Sequence, residues 1–249
     1  VFRKRKDRSD EELEELEPAV EQDEVVTAEL AAREAERQAR VVVRPEGPWD
    51  LADATDDGVP RLDLGSIKVP VLEAGEIQIE MSPEGAPFAA NLVLGESRMQ
   101  IMAFAAPRTE GIWLDVRTEI AASLGEGGGS ASEVQGPLGA ELHAVVPMQT
   151  ESGVVPQEAR FVGVDGPRWF LRGLVHGPAA RDVVAGEPFD TAFRQIIVER
   201  GADPMAVRDP LPLRLPEVAQ EALQQAADEA EQPDGLALPE RGPEITEVR

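Results

Sequence analysis

Two apolar runs, residues 161–164 and 169–175, flank Asp165-Gly166-Pro167-Arg168. The residues between them supply positive φ, fixed φ and local side-chain hydrogen bonds, so residues 160–177 are predicted as an antiparallel hairpin. The second run holds the densest aromatic content of a chain that is only 4% aromatic. This hairpin is therefore expected at the centre of a sheet and of the core. Alternation puts Trp169, Leu171, Gly173 and Val175 on one face of its second strand and Phe170, Arg172, Leu174 and His176 on the other.

Short β-type runs precede it. Residues 62–64 and 67–69 alternate around Gly65-Ser66, with Pro70 restricting the latter to an edge, and residues 77–81 alternate with Ile77, Ile79 and Met81 inward. Residues 89–94 and 99–105 form a second predicted hairpin around Gly95-Glu96-Ser97. Residues 113–124 then have helical spacing, with Trp113, Val116, Ile120 and Leu124 on one face that should lie on the sheet. Residues 127–132 read as a flexible connector; their glycines leave a helix instead of opening one, which argues against a phosphate cradle. Residues 140–146 are a further strand followed by a polar loop to Glu158. Residues 189–200 form a second helix with Phe189, Phe193, Ile196 and Ile197 as its stripe. The alternating prolines of residues 209–216 exclude helix and central strand, so this segment is expected as an extended strap, with a polyproline-type ligand as the alternative.

The pattern amounts to an α+β fold: a single two-layer domain, an antiparallel sheet with helices packed on one face, flanked by charged tails. The layout is similar to the small α+β sandwiches of bacterial secretion-chaperone-like proteins. Residues 48–216 form the expected core. Residues 1–47 are a charged tail, largely disordered or a solvated helix over 20–40, and residues 217–249 add a helix and an acidic tail.

Charge sharpens this division. The chain has 24 Lys and Arg against 48 Asp and Glu, a net charge of −24. Such a field should repel nucleic acid and anionic membrane from most of the surface. The exception is the basic run Arg3–Arg8, which could give a weak peripheral membrane contact. It is followed by Ser9-Asp10-Glu11-Glu12 instead of an apolar stretch, so it is not read as a secretory signal. No apolar run approaches the ~20 residues that span a bilayer, and a cytoplasmic location is the expectation.

The 249 residues include no cysteine and no tyrosine. Disulfides, thiol catalysis and zinc–thiolate sites are thereby excluded. Histidine occurs only at His143 and His176, both in predicted strands, and no serine sits in a Gly-x-Ser-x-Gly elbow. Asp50, Asp53, Asp56 and Asp57 lack the spacing of a calcium loop. No catalytic residue, metal site or cofactor is therefore expected. The cluster that stands out is Arg168, Trp169, Arg172 and His176, because arginine and aromatic side chains are enriched where proteins bind one another. Pairing of Arg172 with a core acid is the structural alternative.

Several segments carry a resemblance: Gly47-Pro48-Trp49-Asp50, Arg61-Leu62-Asp63-Leu64-Gly65, residues 103–113, residues 161–173 and residues 208–216. Over residues 47–216 the chain resembles an actinobacterial family of acidic proteins whose function is uncharacterised. The resemblance implies a bacterial cytoplasmic setting, and because the family has no known activity it carries over no catalytic residue. The leading expectation is a non-enzymatic interaction or adaptor protein that binds a partner polypeptide through the sheet face or hairpin. The alternative is a hydrolase or metal-dependent enzyme using His143 or His176 with nearby carboxylates.

Overall fold

The computed structural model describes residues 46–216 except 109, 151 and 152, together with 219 and 220. The basic run Arg3–Arg8, the predicted helix over 20–40 and the tail from 221 lie outside the described residues. The described residues up to Arg214 belong to one compact unit and those from Leu215 to a second. In the second, the N–H groups of Ala219 and Gln220 donate to Pro216 O at 2.9 and 3.0 Å.

The first unit is built on a seven-stranded antiparallel sheet, β4-β5-β6-β10-β9-β8-β7 in spatial order. Its strands are β4 (Glu76–Met81), β5 (Pro87–Leu94), β6 (Ser97–Ala105), β7 (Ser130–Gly136), β8 (Gly139–Thr150), β9 (Gly153–Gly166) and β10 (Trp169–His176). The predicted hairpin is β9–β10, and β10 lies at the centre of the sheet. Positive φ in its turn falls on Arg168, at 62°, and not on Gly166. A smaller sheet has the order β1-β11-β3-β2, from Trp49–Asp50, Ile197–Val198, Ile67–Pro70 and Arg61–Asp63. Within it β3 is internal, not an edge. The two-residue β11 reaches only Ile67 and Lys68 of β3, so Pro70 meets β2 alone and its missing N–H costs no ladder bond.

The helices do not share a face. Trp169, Leu171 and Val175 pack with Phe189 and Phe193 of α2 (Val183–Arg194), with Ile67 and Val198 of the small sheet and with Leu64 between its strands β2 and β3. Phe170 packs on the opposite side with Trp113 at the start of α1 (Trp113–Glu126), together with Leu142 and Phe161. The two-layer arrangement with helices on one face is thus replaced by cover on both faces. The physical reason is in β10 itself: Trp169, Phe170 and Leu171 are consecutive and all buried, so both faces of the strand must be kept from water. Each large side chain so buried contributes about 1.5–3 kcal/mol.

Other differences have local causes. Residues 130–136 form the edge strand β7, and residues 147–150 and 153–158 extend the β8–β9 ladder, with Pro147 opposite Pro156, where a connector and a polar loop were expected. Met81 turns outward because the β4–β5 register shifts between Glu80 and Met81. The second helix begins at Val183, capped by Asp182 Oδ1 accepting from Val184 and Ala185 N–H, and stops at Arg194 so that Ile197 and Val198 can join the small sheet.

The strap is extended as predicted. The β5–β6 ladder ends at Ile101, and the strap takes over beyond it: Leu211 N–H donates to Ala103 O at 2.8 Å and Ala105 N–H to Asp209 O at 2.8 Å. Leu211 and Leu213 are buried beneath it.

Candidate functional site

The N-terminal end of α1 is seated firmly on the Phe170 face. The Trp113 indole lies on Gly163 of β9, where a Cβ would overlap the ring, and stacks on Phe170 with centroids 5.6 Å apart. Its Nε1–H donates to Ala140 O at 2.6 Å. Helix N-termini leave N–H groups unsatisfied, and the residue at the cap position, Ile112, has no side-chain acceptor. Asp165 of β9 supplies one: Ile112 N–H donates to Oδ1 at 2.8 Å and Trp113 N–H to Oδ2 at 3.2 Å. Gly111 permits the approach, since a Cβ there would overlap the carboxylate.

Farther along, the helix leaves room beneath it. Val116, Ile120 and Leu124, the stripe predicted to close on the sheet, are only half-buried. Together with Phe104, Phe161 and Phe170 they line a cavity of about 480 Å³ that opens to solvent. Its volume falls in the range of ligand pockets, and its walls are mainly apolar.

Arg172 of β10 forms part of this lining. Its guanidinium lies 5.3 Å from the Phe104 ring centroid, and Nη2 donates to Met102 Sδ at 3.2 Å, a weak acceptor. Its Nε is buried with no hydrogen-bond acceptor. Among the described residues no carboxylate pairs with it. Burial pushes its pKa below the ordinary arginine value, although the group stays charged. At the rim Arg208, held at φ 74° at the start of the strap, forms two bonds to Glu119 at 2.9 and 2.7 Å. That pair neutralises itself, so Arg172 is the one uncompensated charge lining the cleft among the described residues.

The four residues singled out in the sequence are not brought together. Trp169 lies on the other face, 1% exposed, with Nε1–H on Asp50 Oδ2 at 2.9 Å. Arg168 sits in the hairpin turn and donates Nη2–H to Gly201 O at 2.9 Å. His176 shares the Phe170 face with Arg172 but lies four residues along β10, beside Arg98 in the register. Burial, with Arg98 adding, lowers its pKa, and its Nδ1 is buried without a partner.

His143 lies on the Trp169 face of β8, with β9 between it and the strand of His176. The two imidazoles therefore cannot meet. His143 instead neighbours a buried ionic group: Arg160 bonds to Asp190 at 2.7 and 3.2 Å and to Glu141 at 3.2 Å, and His143 Nε2 is 3.7 Å from Glu141. Burial opposes the charge of Arg160, but the bonds to Asp190 and Glu141 outweigh it and raise the pKa. For Glu141 burial dominates over Arg160, and its pKa is raised. No group of three His, Asp or Glu placed to hold a metal occurs among the described residues. Arg208 and the free space under α1 were not anticipated; Arg208 carries no sequence signal beyond its place before Asp209-Pro210.

No helix among the described residues is long and apolar enough to cross a membrane. Among curated proteins none matches this chain. Among solved structures, the solution structure of cyanobacterial PsbP (CyanoP) from Synechocystis sp. PCC 6803 is similar at 11% identity and a TM-score of 0.34, covering 61% of this chain and 99% of that one. A family model matches residues 47–222, which include every residue of the cleft and both histidines. The chain belongs to the family described as protein of unknown function (DUF3710).

Proposed function

We propose that this protein is a non-enzymatic interaction module that takes up a segment of a partner polypeptide in the cleft between α1 and the Phe170 face. The observation that carries the reading is the half-buried stripe Val116, Ile120 and Leu124 standing over a cavity of about 480 Å³. Burying that stripe under a partner would gain about 25 cal/mol for each Å² of apolar surface removed from water. An arginine beside aromatic rings is the kind of anchor that dominates interface energetics. In this reading residues 48–216 are the binding unit, residues 1–47 and 217–249 are charged appendages, and the setting is cytoplasmic.

A photo-reactive amino acid at Ser123, which lines the cleft, should capture a discrete polypeptide in the native cell. The same group at Glu76, exposed on the far edge strand β4, should not. Ile120→Asp should abolish the Ser123 product. Capture that is equal from both positions, or unaffected by Ile120→Asp, would overturn the reading.

A further inference from the structure

We propose that the occupant of this cleft is a carboxyl terminus: the last apolar side chains of a partner polypeptide enter under α1, and the terminal α-carboxylate binds Arg172. The inference rests on the interaction-module reading above and adds the chemistry of the partner.

The first ground is the state of Arg172. A guanidinium presents a rigid fork of donors that matches a carboxylate in a two-bond geometry. Here that fork is placed against Phe104 and Met102 with Nε buried and unbonded. The chain has 48 Asp and Glu, and none of the described ones pairs with it. The nearby Glu119 is engaged by Arg208 through both carboxylate oxygens. The cleft thus offers one unanswered positive charge, and an anion is the complementary occupant.

The second ground is the poverty of other polar groups. Apart from Arg172 and the Glu119–Arg208 pair, the lining offers only Ser123 for side-chain hydrogen bonds. A segment threaded through the cleft in mid-chain would bury backbone N–H and C=O groups with nothing to receive them, at a cost for each. A chain end enters with its side chains leading and needs partners chiefly for its carboxylate. An acidic side chain on a continuous segment meets the charge requirement but not this one.

The test uses the full chain and three probes read by calorimetry and by amide NMR shifts: Ac-Leu-Leu-Phe with a free carboxylate, the same peptide as its C-terminal amide, and decanoate. The free acid is expected to bind about tenfold or more tighter than the amide, with shifts centred on α1 and β10. Arg172→Met should erase the difference between acid and amide while leaving residual binding of both, and Arg172→Lys should keep part of the preference. If acid and amide bind alike, or the preference survives in Arg172→Met, the carboxylate anchor is overturned while the interaction-module reading stands. Ser123 capture that is undiminished in Arg172→Met has the same meaning. Binding of decanoate with no binding of either peptide, or no binding of any probe, overturns both.

Discussion

Trp113 rests its indole on Gly163, the one residue of the β9 centre without a side chain to hold it away. This contact sets the distance between α1 and the sheet, and so it sets the depth of the cleft. Gly163→Ala would push the ring off the sheet, strain its stacking on Phe170 and stretch the Nε1–H bond to Ala140 O. Overpacking of this kind costs about 1–3 kcal/mol. A lowered denaturation midpoint together with altered Trp fluorescence is the expected result.

Asp165 caps α1 from a neighbouring strand, and the cap is separable from the packing. Asp165→Ala removes the acceptor of the Ile112 and Trp113 N–H groups and should destabilise the protein by about 1–2 kcal/mol. Amide exchange should accelerate most at residues 112–116, near the freed helix end, and change little in α2.

The ionic group on the opposite face predicts a pH signature. Burial raises the pKa of Glu141, so the native state holds that proton more tightly than the unfolded chain does. The contribution is fully favourable below the ordinary value of 4.5 and is lost as pH rises through the raised one. Stability curves of the native chain and Glu141→Gln should therefore differ in slope above pH 4.5, with the variant flatter. Asp190→Asn leaves Arg160 short of its principal partner and should cost about 3 kcal/mol at neutral pH.

How far the sequence carries depends on where each element's partners lie. The β9–β10 hairpin was legible because its apolar runs and turn are contiguous, and the face assignment of every β10 residue followed from period two alone. The same alternation puts a large ring on each face of β10, Trp169 on one and Phe170 on the other, and both need cover. β7 left no pattern because Ser130–Gly136 is an edge strand with most side chains in solvent. α2 begins at Val183, six residues before the expected start, with Gly186 and Pro188 inside it. In the fold Gly186 lies where a Cβ would press on Ala179 O and the Arg160 guanidinium, and the Asp182 cap anchors the first turn. At the cleft, Arg172 among aromatics was visible. Whether one of 48 acids answers it is a tertiary fact that no local pattern contains.

If Arg172 is kept for a ligand, it contributes little to the fold. The denaturant midpoint of Arg172→Met at neutral pH, without ligand, decides this. Replacing a largely buried, unanswered guanidinium by an apolar side chain should leave stability unchanged or raise it by about 0.5–1 kcal/mol. A loss of about 2 kcal/mol or more would mean that Arg172 is already satisfied within the chain, and the claim would be wrong.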